Sequence, residues 1–150
     1  MDIEKVSEFA GEMFLNCRKS EAVHIGGLPW KIVAQINTNY RGIADNQLGF
    51  SLECDASKKD SNWSCECSAT FRIVSQKCDG TENSTGNHFR IVFDTVEYQH
   101  GFGYYITFAD LMDEGNGFYD ESGDKVTLVI DLMMKESKTE KPEAFEDCFC

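Results

Sequence analysis

A chain of 150 residues is long enough for one domain with a proper hydrophobic core, and a second domain is not expected. With 14 Lys+Arg against 26 Asp+Glu the formal net charge is -12, which opposes phosphate backbones and anionic lipid, so nucleic acid and membrane are excluded as expected partners. The opening Met1-Asp2-Ile3-Glu4-Lys5 lacks a basic region leading into an apolar stretch, and no apolar run approaches a bilayer span; an intracellular chain, cytoplasmic or nuclear, with reduced thiols is expected.

In chain order, Ile3, Val6 and Phe9 suggest a short first strand, and Glu12 to Ser20 a polar connector. Ala22-Val23-His24-Ile25 reads as extended, and Gly26-Gly27 breaks it with a hairpin-like corner. From Leu28 to Ile36 strict alternation puts Trp30, Ile32, Ala34 and Ile36 on one face, with Pro29 near the start of the strand, where a missing donor is tolerated. Asn37 to Asn46 reads as a loop. Leu48, Phe50, Leu52 and Cys54 then share a face, with Ser51 and Glu53 on the other. After the charged turn Asp55 to Asn62, the positions Trp63, Cys65, Cys67, Ala69, Phe71 and Ile73 or Val74 alternate again, with Arg72 opposite. Cys78 to Asn87 is loop in composition, and His88 to Phe93 begins a strand.

That strand leads into an aromatic segment, Phe93 to Phe118, which holds Phe93, Tyr98, Phe102, Tyr104, Tyr105, Phe108 and Phe118 with His100 and Gly101 at its centre. Buried, such rings supply core area; left exposed on a rigid strand, they form an anchor site for a partner. Thr107 to Met112 suggests one or two helical turns, Asp113 to Gly117 a turn, and Lys125 to Ile130 a last strand continuing to Met134. Several short strands joined by turns indicate an all-β antiparallel sandwich. The domain is expected over residues 1–134, and residues 135–150 form a polar, flexible tail.

Seven cysteines invite a metal reading, but Cys54, Cys65, Cys67 and Cys78 supply only a C-x-C, and on a strand Cys65 and Cys67 share a face as small apolar side chains. The acidic residues Asp110, Asp113, Glu114, Asp120, Glu121 and Asp124 miss the EF-hand order. His24, His88 and His100 sit in no local Cys-His hydrolase signature. No metal, cofactor or catalysis is expected.

Gly26-Gly27-Leu28-Pro29-Trp30-Lys31-Ile32, Leu48-Gly49-Phe50 with Leu52 and Cys54, Trp63-Ser64-Cys65, Gly101-Phe102, and Gly117-Phe118 with Asp120 together resemble the MATH (meprin and TRAF homology) domain in order and spacing. The resemblance covers Ile3 to Met134 and is nearest to the TRAF-like domain of a ubiquitin-specific protease and to MATH-BTB adaptors. It implies an eight-stranded antiparallel sandwich with one short helix that binds short extended peptides in a shallow groove, with no catalysis of its own. It also implies substrate recognition for the ubiquitin pathway, with cullin ligase components reached through an attached domain. Carried over by position, the peptide-binding residues are Ser51, Phe71, Val92 or Phe93, Tyr98, Gln99, His100, Gly101 and Phe102. Ser51 stands where the adaptors have tyrosine, and Gln99-His100 replaces the Asp-Trp pair that usually precedes Gly-Phe, so a changed motif preference is implied. The alternative is an oligomerising structural module of the TRAF type, which normally follows a coiled coil; no heptads precede Ile3.

Overall fold

The alternating segments become the long strands of two antiparallel sheets in the computed structural model, which describes residues 1–11, 17–37, 46–55, 63–76 and 87–135. The elements are β1 (Asp2–Glu4), α1 (Val6–Ala10), β2 (Cys17–Lys19), β3 (Val23–Ile25), β4 (Leu28–Asn37), β5 (Gln47–Cys54), β6 (Ser64–Ile73), β7 (Asn87–Asp94), β8 (Gln99–Thr107), α2 (Phe108–Leu111) and β9 (Lys125–Met134). One sheet runs β1-β9-β6-β7; the other runs β2-β4-β5-β8, with β3 also paired to β4. The all-β sandwich expected from the sequence is therefore present, with nine strands among the described residues where eight were expected.

The core lies between the sheets and is built largely from residues that alternation placed inward, although Ile32, Trp63 and Cys65, also placed inward, are only partly buried and Val33, on the opposite face of β4, is buried. Trp30, Ala34, Ile36, Leu48, Phe50, Leu52, Cys54, Cys67, Ala69, Phe71 and Ile73 are all buried, while Ser51 and Glu53 keep partial exposure. The Trp30 ring meets Phe93 edge to face at 5.0 Å, and its Nε1 donates to the Ile25 carbonyl at 3.0 Å, so the buried indole keeps a partner. Burial pushes the Cys54 and Cys67 thiols up to about 12, which makes both poor nucleophiles and suits a packing role. Gly26 and Gly27, at φ 62° and 76°, form the two-residue turn that joins β3 to β4; two successive left-handed positions are what that hairpin turn demands.

Two local readings change. The chain is extended only through Glu4, and Val6 to Phe9, expected as strand, lie in α1. Spacing of three residues also fits one helical face, and Lys5, left-handed at φ 52°, turns the chain between the two forms. Val6 and Phe9 bury that face, while Asp124 supplies the missing cap: its carboxylate accepts from the Ser7 amide at 3.0 Å and from the Ser7 hydroxyl, and its carbonyl accepts from the Val6 amide. Within the expected polar connector, Cys17–Lys19 pairs with Gln35–Val33 as an edge strand. The expected helix at Thr107 to Met112 is present as α2, with the Thr107 hydroxyl accepting from the Asp110 amide. Of the expected tail only Lys135 lies among the described residues, as do four of the seven cysteines, Cys17, Cys54, Cys65 and Cys67, which form no disulfide with one another.

Candidate functional site

β7 and β8 end their respective sheets on the same side of the sandwich, and the chain crosses from one to the other through Thr95–Tyr98. The crossing is held by Asp94. Its Oδ1 accepts from the Val96 amide at 2.9 Å and the Glu97 amide at 2.7 Å, and its own amide donates to the Glu97 carbonyl. The two side-chain bonds, led by Glu97 and helped by nearby His100, hold the Asp94 carboxyl below the usual carboxylate range against a small opposing effect of burial.

Where the two edges meet, five rings bridge the sheets. Phe71 stacks on Phe89 at 5.1 Å; Phe102 meets Phe71 and Phe89 edge to face, each at 5.4 Å, and Tyr105 at 5.5 Å; and Phe50 meets Phe71 and Tyr105. Tyr105 also donates its hydroxyl to the Phe71 carbonyl at 3.1 Å, tying β8 to β6 across the opening. Phe89, Phe102 and Tyr105 remain half-buried, so they form a rim whose positions are locked from beneath.

The expected site residues divide three ways. Phe71 and Phe93 are both 0% exposed, unlike residues that line an open groove: Phe71 lies beneath the rim against Phe89 and Phe102, while Phe93 packs against Trp30 and His100 further along β7. Val92 is 49% exposed but pairs with Glu66 on the outer surface of its sheet, away from the side to which Phe93 points, so it too leaves the site. The other six, Ser51, Tyr98, Gln99, His100, Gly101 and Phe102, come together along β5 and β8. Gln99 donates its amide to the Ser51 hydroxyl at 2.8 Å. His100 sets its ring edge to face on Phe93 at 4.7 Å, with Nε2 at 3.3 Å from the Glu97 carbonyl. Gly101 lies so close to β5 that a Cβ would fall 2.3 Å from the Phe50 carbonyl and 2.4 Å from the Ser51 Cα.

Backbone geometry gives this edge a direction. The Cys54 amide donates to the Tyr98 carbonyl at 2.9 Å, so Tyr98, His100 and Phe102 turn their peptide groups toward β5. By antiparallel alternation Gln99 and Gly101 turn theirs the other way, toward the side of β8 that no strand covers among the described residues. Beyond Phe102 the strand bulges, with Gly103, Tyr104 and Tyr105 opposite Gly49 alone, and the Asn37 amide fills the gap by donating to the Gly103 carbonyl. Beside the start of β8, Val96, Glu97, Tyr98, Gln99 and His100 line a concavity of about 510 Å³.

Phe89, Tyr105, Val96 and Glu97 were not among the expected site residues. Alternation along His88 to Phe93 carries a signal for Phe89, which shares a face with Ile91 and Phe93. Tyr105 carries only the signal of the aromatic segment as a whole, nothing local marks Val96 or Glu97, and the positions of all three depend on the bulge and the crossing.

A sandwich with a long uncovered edge strand beside a fixed aromatic rim belongs to the class of protein-binding β-modules. The sequence pattern of the MATH domain matches residues 1–140, and the chain belongs to that family, whose members are protein-interaction domains rather than catalysts. Ubiquitin carboxyl-terminal hydrolase 7 of Drosophila melanogaster is similar at 29% identity over 116 residues, 77% of this chain and 9% of that protein, so the chain spans less than a tenth of this relative's length.

Proposed function

We propose that this domain binds short extended segments of partner proteins by adding them as a strand to the uncovered edge of β8, with partner side chains reaching the rim of Phe89, Phe102 and Tyr105. The observation that carries the reading is the outward turn of the Gln99 and Gly101 peptide groups beside half-buried aromatic rings. Main-chain bonds supply affinity in this mode, and pockets for alternate side chains supply specificity. Likeness to a ubiquitin carboxyl-terminal hydrolase supports a role in the ubiquitin pathway; choice of substrates for a cullin-type ligase reached through an attached domain is the finer form of the proposal.

The test starts with peptides selected from a displayed random library against the whole chain, followed by titration of the best binder and of analogues N-methylated at single positions. Methylation of alternate amides is expected to abolish binding while the positions between them tolerate it, as strand pairing requires. Equal tolerance at every position would refute strand addition. Failure to select any binder, together with a concentration-dependent mass in sedimentation, would favour the oligomerising alternative.

A further inference from the structure

The concavity beside the start of β8 is not made of the rim aromatics. It is lined by Val96, Glu97, Tyr98, Gln99 and His100, with the Glu97 carboxylate as its one acidic group. Tyr98 is 48% exposed and offers a ring face; Val96, at 81%, offers an apolar side wall. Gln99 has committed its amide nitrogen to Ser51, which leaves its side-chain oxygen as the end that can receive a donor. The Glu97 backbone is fully employed in the crossing, but its carboxylate is in no ion pair among the described residues, whereas Glu53 and Glu66 are held by Lys19 and Lys135. The neighbouring Asp94 carboxylate already has its Oδ1 engaged by the Val96 and Glu97 amides.

We infer that this concavity is a subsite for a lysine or arginine side chain of the bound segment, so that the preferred partner is an extended peptide with a basic residue one step beyond the strand-paired portion. The inference rests on the proposed strand addition and adds the chemistry of the partner. A carboxylate, an amide oxygen and an aromatic face together match a cation on an aliphatic stem: the stem lies along Val96, the charge between Glu97 and the Tyr98 ring. A chain of net charge -12 steers basic segments toward itself before contact, which works in the same direction.

The probe is the same displayed random library, selected in parallel against the wild-type chain, Glu97→Gln and Glu97→Lys. The Glu97 side chain takes no part in the crossing's hydrogen bonds, so both variants keep the turn. Wild-type binders should carry Lys or Arg at one fixed position. Glu97→Gln should weaken the best of them about threefold to fivefold, and Glu97→Lys about tenfold, with affinity restored when the basic residue of the peptide is changed to Glu. Binders that bear no basic residue and bind all three chains equally would overturn the subsite and leave strand addition standing. A library that yields no binder would overturn both.

Discussion

The sandwich has two long sides, and they are finished in opposite ways. On one, the edge strands β1 and β2 are three residues each and α1 lies between them. Arg18 reaches from β2 to the Glu4 carbonyl and sets its guanidinium 4.4 Å over the Phe9 ring; Phe9 packs edge to face on Phe108; and Asp124 ties down Ser7 while receiving the Tyr119 hydroxyl at 2.7 Å. On the other side β7 and β8 run eight and nine residues, and among the described residues no helix lies between them and the space is filled only to the level of a half-buried rim. Short, covered edges are how sheets avoid unwanted pairing, and the contrast between a closed side and a long edge left uncovered among the described residues is what the proposed strand addition rests on.

Breaking that contrast should start at Gly101. Gly101→Ala places a methyl inside van der Waals contact of the β5 backbone, so β8 must shift; a loss of about 3 kcal/mol in denaturant unfolding and loss of peptide binding are expected. Phe102→Ala empties the centre of the rim, and because the ring is half-buried the expected cost is about 2 kcal/mol, with a folded domain and no measurable peptide affinity. Unchanged affinity in that variant would move the contact elsewhere.

The closed side should behave differently. Asp124→Ala removes the acceptor of Ser7 and Tyr119 and puts alanine at φ 50°, so the unfolding midpoint should fall by less than in the two open-side variants, while peptide affinity stays as it was. Asp124→Asn, at ease in the left-handed region, should recover part of the loss. The smallest effect is in acid. Ser7 donors first, then Tyr119, hold the Asp124 carboxyl low, as the crossing's backbone donors do for Asp94. A carboxyl lowered by folding contributes stability that is present above its unfolded value and disappears as pH falls through the lowered folded value. Stability should therefore decline on acidification below the usual carboxylate range, and Asp124→Asn should flatten the part of that decline that belongs to the closed side. Both groups are solvent-facing, so the change is small and read best as a shift of the unfolding midpoint.

The same contrast explains what could be read in advance. Alternation is legible where a strand is long and one face is buried, so the inward residues of β4, β5 and β6 came directly from the pattern, and the glycine pair marked its turn. The closed edge was illegible because β2 is three mostly polar residues, and because the change from strand to helix after Glu4 turns on the backbone of Lys5 and on an acceptor more than a hundred residues away. At the open edge the sequence located β8 and its central glycine. It could not separate Phe71 and Phe93 from Phe102, since all three are phenylalanines on alternating strands and only their depth in the fold tells buried rings from the half-buried rim. Nor could it place Glu97 or Tyr105, whose positions follow from the crossing and from three residues bulging opposite one.

The central claim is that a partner pairs with the outer side of β8. Amide hydrogen exchange of the whole chain, with and without a saturating selected peptide, reads this residue by residue. The account predicts strong slowing at the Gln99 and Gly101 amides, with little change along β1 and β2; slowing confined to β1 and β2, or none at Gln99 and Gly101 in a chain that binds the peptide, would contradict it.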